Sequence, residues 1–249
     1  HTGIRRQRQM CIRDRPMPRK PISLGWGVKK EGKSIWTRNA NKGVSVRGER
    51  RKRSGKIEWR RWDPYKSKVA AALLKTNGDP SQILPDPGSV CLYLGASSGT
   101  TVSHIHDHVC GAENHHNGQL MAIEISPRMM RDLQTLAEQR KGLIPVLTDA
   151  RDVNSYATMM RSKAQWIHQD LSIADQAQNF ISIAEKTLSK GGTGLLSLKA
   201  ASERSIEGED ESRFARAESL LRQSSLDLIE RIDIEQYQEQ HAVFHVRHL

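Results

Sequence analysis

Val90 to His104 read VCLYLGASSGTTVSH. An apolar run meets a Gly/Ser turn, and the turn runs into two threonines. Chains do this where a buried strand stops sharply and a ligand approaches the backbone. Gly95 and Gly99 allow the tight turn and expose N–H groups. A helix predicted from Thr100 aims its positive dipole end at a carboxylate or phosphate. The spacing is G-x-x-x-G, not the dinucleotide G-x-G-x-x-G, and no lysine follows as a P-loop requires. Taken alone, the loop is equally compatible with a strand-to-helix turn that binds nothing.

Downstream, strand and helix patterns alternate. Strands are predicted at SVCLYL, QLMAIEI, LIPVL, AQWIHQD and GTGLLSLK. Helices are predicted at TTVSHIHDHV, PRMMRDLQTLAEQR, SYATMMRS, DQAQNFISIAEKTLSK and ESRFARAESLLRQS. The chain closes on two strand-like runs, LDLIERIDIE and QHAVFHVRH, too close for a helical crossover and therefore antiparallel. This alternation predicts an α/β fold with a mainly parallel, doubly wound sheet. Upstream, DPYKSKVAAALLK predicts a helix with Val69, Ala70, Leu73 and Leu74 on one side.

The 249 residues suffice for one large α/β domain and a small accessory one. Net charge is +11, unevenly placed: residues 1–68 hold 22 Lys+Arg against 5 Asp+Glu. A basic first third suggests a polyanion partner, or a solubilising tail. Residues 16–62 are expected to form a small basic β domain, with strands at KSIWTRN, GVSVRGER and KIEWRRW, and residues 63–249 the main domain. RRQRQMCIRD resembles a translated sequencing-library adapter, so residues 1–15 are set aside as an artefact or a disordered arm. Cys11, Cys91 and Cys110 have no paired spacing, which points to a reducing compartment. No signal peptide is expected, and no apolar run is long enough to span a bilayer.

Ligands of such sheets bind beyond the carboxyl ends of the strands. Glu124 ends the second strand, where a carboxylate accepts hydrogen bonds from ribose hydroxyls. Asp149 follows the third, where an adenine amino group would lie. The three strand ends fit a nucleoside carrying a charged tail, S-adenosylmethionine as well as a nucleotide. Asp170 and Lys199 sit at the next two tips and are expected to pair, as candidates for positioning and deprotonating an acceptor. His104, His106, His108, Cys110, His115 and His116 suggest a metal cluster at first sight. Period-two spacing spreads ligands round a helix, so no metal site is expected, and a hydrophilic helix end and loop is the preferred reading.

RWDPYKSKVAAALL, YLGASSGTTVSH, DLSIADQA, SLKA and QHAVF together resemble fibrillarin and its archaeal homologues, from about Lys33 to the C-terminus. The resemblance implies a Rossmann-like S-adenosylmethionine-dependent methyltransferase sheet with an antiparallel last strand, and RNA ribose 2′-O-methylation of rRNA or tRNA. It implies box C/D guide RNA, a Nop-domain scaffold protein and a kink-turn-binding ribosomal-type protein as partners. The archaeal type implies a cytoplasmic protein, a eukaryotic one a nucleolar protein. Catalytic roles carry over to Lys68, Asp170, Lys199 and His241, with Lys199 taking or guiding the proton and His241 orienting the ribose or its phosphate. Cofactor contacts carry over to Gly95, Ala96, Ser97, Gly99, Thr100, Thr101, Glu124, Ile125, Asp149, Ala150, Asp170 and Ile173.

The chain departs from the family pattern at a few positions. Ile173 stands where a cofactor-side Gln is usual. Ser97 replaces a small apolar residue. Gln240 replaces an Asp, which would leave His241 without its partner. HVCGAENHHNGQ is longer than usual. A stand-alone RNA methyltransferase and a catalytically silent structural subunit remain as alternatives, the second disfavoured by the intact Lys68/Asp170/Lys199/His241 set.

Overall fold

The computed structural model describes residues 21–203 and 208–249. The adapter-like segment and Cys11 lie outside the described residues. Five short strands come first: β1 (Ile22–Gly25), β2 (Val28–Glu31), β3 (Ser34–Arg38), β4 (Arg51–Ser54) and β5 (Ile57–Trp62). They form an antiparallel sheet in the order β1-β2-β3-β5-β4. Its lysines lie over tryptophans: Lys29 Nζ is 4.0 Å from the Trp59 ring centre and Lys52 Nζ 3.9 Å from that of Trp36. Aliphatic stems and aromatic faces thus supply cover that the sequence lacks in plain apolar residues.

Helix α1 (Lys68–Lys75) leads into the second sheet. This contains β6 (Val90–Leu94), β7 (Gln119–Glu124), β8 (Leu143–Leu147), β9 (Ala164–Gln169), β10 (Leu188–Lys199), β11 (Leu226–Asp233) and β12 (His241–His248). The order is β11-β12-β10-β9-β6-β7-β8, parallel from β10 to β8, with β12 antiparallel to both neighbours. All five β6 side chains are buried. Cys91 and Tyr93 join the core on one face, and Leu92 and Leu94 the core on the other. A strand covered on both faces has no polar side to show, hence the unbroken apolar run. Helices α2 (Thr100–Val109) and α3 (Pro127–Glu138) contribute to the first core. Helices α5 (Gln176–Thr187) and α6 (Asp210–Arg222) contribute to the second.

Several local expectations change. GVSVRGER is not a strand: Glu49 turns back and its carboxylate accepts Val46 N–H at 2.9 Å and Arg47 N–H at 2.8 Å, so pairing starts only at Arg51. β1 and β2 went unpredicted. SYATMMRS shrinks to α4 (Asn154–Ala157), the Arg161 N–H being taken by Gln119 Oε1 at 3.0 Å. The helix expected to reach Lys190 stops at Thr187, because Leu188 pairs with Ala164 and already belongs to β10.

The largest correction concerns the histidines. α2 does not end in a hydrophilic surface: His104, His106, Asp107 and His108 are all buried. His104 stacks on Trp62 at 5.0 Å and its Nδ1 shares a 2.6 Å hydrogen bond with Thr37 Oγ1. His108 bonds the carbonyls of Trp26 and Pro85, each at 2.6 Å, whereas His106 turns to the Lys141 carbonyl at 2.9 Å. Asp107 lies 2.7 Å from Arg60 and 3.2 Å from Arg140 Nε. Arg60 also holds Glu49 at 2.6 Å. Residues 104, 107 and 108 share one helix face, and that face receives the first sheet. Burial by itself would raise the Asp107 pKa, but Arg60, His106 and Arg140 hold it far below the usual carboxylate range. Among the described residues no group of three or more potential ligands is placed to hold a metal ion.

Burial lowers the pKa of His104 well below 6.5 and that of His168 to about 4. A histidine depressed in the folded state leaves the unfolded chain binding more protons between those values. Stability is therefore full above pH 6.5 and falls as pH drops toward 4, by up to about 1.4 kcal/mol per pH unit for each such group. The urea midpoint is expected to fall from pH 7 to pH 5, above the range where carboxylates titrate. A midpoint independent of pH there would contradict the buried neutral histidines.

Candidate active site

Ser67 caps α1, its Oγ accepting the Ala70 N–H at 3.3 Å and the Thr101 hydroxyl at 3.0 Å. The first turn of α1 is thereby tied to the first turn of α2, and Lys68 emerges over the sheet tip. Its Nζ meets Asp170 Oδ2 at 2.8 Å, with both side chains mostly buried. Asp170 follows β9, fixed by its N–H to the Leu94 carbonyl at 2.9 Å. The pairing expected between Asp170 and Lys199 is not made. Lys68 takes that carboxylate because α1 crosses the tip directly, and Lys199 has no side-chain partner among the described residues.

Lys199 ends β10 and stands in register with His241, the first residue of β12. Gln176, fully buried, holds the Lys199 backbone twice, donating to its carbonyl and accepting its N–H, each at 3.0 Å. His241 does not lack a partner, despite Gln240. Its Nδ1 donates to the Glu239 carbonyl at 2.6 Å, a bond made possible by the left-handed backbone of Gln240 (φ 58°). That bond leaves Nε2 as the acceptor of the neutral ring. Burial lowers the His241 pKa, and Lys68 and Lys199 lower it further, while the Glu239 carbonyl and Asp170 oppose them. Lys68, Asp170, Lys199 and His241 thus form one electrostatic cluster.

Beside it, past Asp170, opens a cavity of about 290 Å³. Of the residues expected to bind a cofactor, Gly95, Ser97, Glu124, Ile125, Asp149, Ala150, Asp170 and Ile173 line it. Ala96, Gly99, Thr100 and Thr101 do not. Ala96 belongs to the core, and the Thr101 hydroxyl is committed to Ser67. Thr148, Arg151, Leu171 and Ser172 line the cavity although the sequence reading passed over them. Arg151 grips Asp149 with bonds of 2.5–3.1 Å and thereby lowers its pKa. A signal for it exists in LTDARD, where the cation stands two residues from the acid.

The cavity suits an adenosine with a charged tail. Glu124 is nearly buried, yet each of its oxygens accepts only one backbone N–H, Ser97 at 2.6 Å and Ser126 at 2.8 Å. Both oxygens keep a lone pair for a hydroxyl. Ile125 is left 62% exposed on the cavity wall, an apolar surface for a purine, and Ile173 adds to it. Ser97 has φ 50°, which aims its N–H at Glu124. Gly95 (φ 82°) has no room for a side chain: a Cβ would lie 2.2 Å from the Asp170 carbonyl oxygen.

The fibrillarin family model matches residues 25–248. The chain belongs to the fibrillarin family. Within it, the fibrillarin-like rRNA/tRNA 2′-O-methyltransferase of Thermococcus sibiricus is 37% identical over 86% of this chain and 89% of that relative. Aeropyrum pernix fibrillarin, solved with natively bound S-adenosyl-L-methionine, superposes with a TM-score of 0.75 at 30% identity, covering 91% of this chain and 99% of that one. The fibrillarin of a fibrillarin/Nop5p complex gives 0.74 at 28% identity, over 90% and 98%. The fold is that of the S-adenosylmethionine-dependent methyltransferases, with a small antiparallel sheet before it.

Gly95→Ala is expected to cost roughly 3 kcal/mol or more in stability and to abolish ligand binding in the cavity, from backbone clash added to left-handed strain. Gly191 (φ 75°) has nothing within 4 Å of a built Cβ. Gly191→Ala is expected to cost only about 1–2 kcal/mol and to leave binding intact. Denaturant unfolding and calorimetric titration with S-adenosylmethionine check the pair.

Proposed function

We propose that this fibrillarin-family chain is an RNA ribose 2′-O-methyltransferase that uses S-adenosylmethionine. It acts on rRNA or tRNA at nucleotides chosen by box C/D guide RNA, beside a Nop-domain scaffold and a kink-turn-binding ribosomal-type protein. The observation that carries this is the cluster of Lys68, Asp170, Lys199 and His241 at the edge of a cavity suited to adenosine. The Thermococcus relative's name supports the substrate class, and the Nop5p complex supports the scaffold. No helix among the described residues is long and apolar enough to cross a membrane.

Glu124 would hold the cofactor's ribose hydroxyls, Ile125 and Ile173 its adenine, and Asp149, Ala150 and the Gly95–Ser97 turn its polar edges. When bound, S-adenosylmethionine supplies an electrophilic methyl group. The chain's own residues handle the acceptor, since a ribose hydroxyl is a weak acid and needs orientation and a route for its proton. Lys68 neutralises Asp170 on one oxygen and leaves the other free to accept from the hydroxyl. Lys199, which makes no ion pair among the described residues, is assigned to take or guide the proton. His241, neutral with Nε2 as acceptor, orients the ribose or relays that proton.

The test is transfer of labelled methyl to a matched RNA, with and without guide and scaffold, scored for the 2′-O position. Transfer that depends on both is expected. Equal transfer without them would favour the stand-alone enzyme. Lys199→Ala is expected to lower kcat by about 10²–10⁴-fold, the range for loss of a positioned proton-transfer group, with cofactor affinity unchanged. Full turnover by that variant would remove Lys199 from its role.

A further inference from the structure

Tyr65 is 61% exposed, yet the fold holds it firmly. Its ring meets Tyr237 edge-on at 5.2 Å. Its carbonyl accepts Gln238 Nε2 at 2.6 Å, and its N–H donates to Asp63 Oδ1 at 3.1 Å. Tyr65 precedes Lys68 by three residues and Tyr237 precedes His241 by four, so the exposed ring stands close in sequence to two members of the cluster. A large ring braced but left uncovered offers a fixed aromatic face to a ligand.

Next to this loop lies a cavity of about 200 Å³ lined in part by Arg50, Arg61 and Lys66. All three are exposed and make no ion pair among the described residues. Of the acids of the same cavity, Glu49 is paired with Arg60, which leaves the single carboxylate of Asp63 against the three cations. The cavity therefore presents unneutralised positive charge. Free cations interleaved with an exposed, rigid aromatic match what single-stranded RNA offers, phosphates at the backbone and a π-face at every base.

We propose that Tyr65 is a stacking platform for a base of the substrate RNA flanking the target ribose, and that Arg50, Arg61 and Lys66 hold the phosphates of that strand. This rests on the RNA methyltransferase function proposed above. The aromatic fixes the position of the strand, and the cations supply affinity without regard to sequence.

The experiment uses the assembled particle, with guide and scaffold. Tyr65→Ala is expected to raise KM for RNA about 5- to 100-fold, with kcat within about twofold and S-adenosylmethionine affinity unchanged; Tyr65→Phe keeps the π-face and is expected to restore KM. Arg61→Ala with Lys66→Ala is expected to flatten the slope of log RNA affinity against log salt by about 1.4, at ~0.7 per lost phosphate contact. An unchanged KM in Tyr65→Ala overturns the platform. So does a loss that tracks the melting temperature or cofactor affinity, or one confined to binding of the scaffold protein. Absence of methyl transfer by the wild-type particle overturns the function itself, whereas wild-type transfer with an indifferent Tyr65→Ala overturns the platform alone.

Discussion

The contact between Lys68 Nζ and Asp170 Oδ2 joins residues 102 apart in the chain and closes α1 onto the tip of the parallel sheet. The adjoining cavity and the residues proposed for catalysis are arranged around it. On one side the Gly95 turn passes so close to the Asp170 carbonyl that only glycine fits. On the other, β10 and β12 bring Lys199 and His241 to neighbouring positions. A mostly buried ion pair of this kind adds little net stability, because desolvation offsets most of the attraction. Its value lies in holding one carboxylate at one place while Lys199 makes no ion pair among the described residues.

The small N-terminal sheet belongs to the same design. β5 ends at Trp62, six residues before Lys68, so the docking of that sheet decides where α1 begins. Docking depends on polar groups taken out of water: Arg60 against Asp107, Trp62 against His104, Thr37 against His104. Removing one member of such a network leaves an uncompensated buried charge or polar atom, typically worth about 3–5 kcal/mol for a charge. The network therefore acts as a register pin, and through α1 it reaches the cluster proposed for catalysis.

Much of this was legible in the sequence, for identifiable reasons. The unbroken VCLYL run announced a doubly covered strand, and strand-end positions placed Glu124, Asp149, Asp170 and Lys199 at one edge of the sheet. Most of the missed features share a cause, a partner distant in sequence. β2 carries Lys29, which only becomes strand surface when Trp59 lies beneath it. His104, Asp107 and His108 look hydrophilic until Arg60, 47 residues before Asp107, arrives on the first sheet. Asp170 had two lysines to choose from, and the choice of Lys68 over Lys199 is set by Ser67 and Thr101 tying two helix starts together. His241 kept a hydrogen bond without an adjacent acid because a backbone carbonyl serves as well.

A crystal structure of this chain with S-adenosylmethionine would locate the cofactor relative to Lys68, Asp170, Lys199 and His241. The adenosine is expected in the cavity beyond Gly95, its ribose hydroxyls on Glu124, and the sulfonium methyl facing the side of Asp170 where Lys199 and His241 converge. A cofactor bound with its ribose away from Glu124, or with its methyl turned from that cluster, would contradict this arrangement.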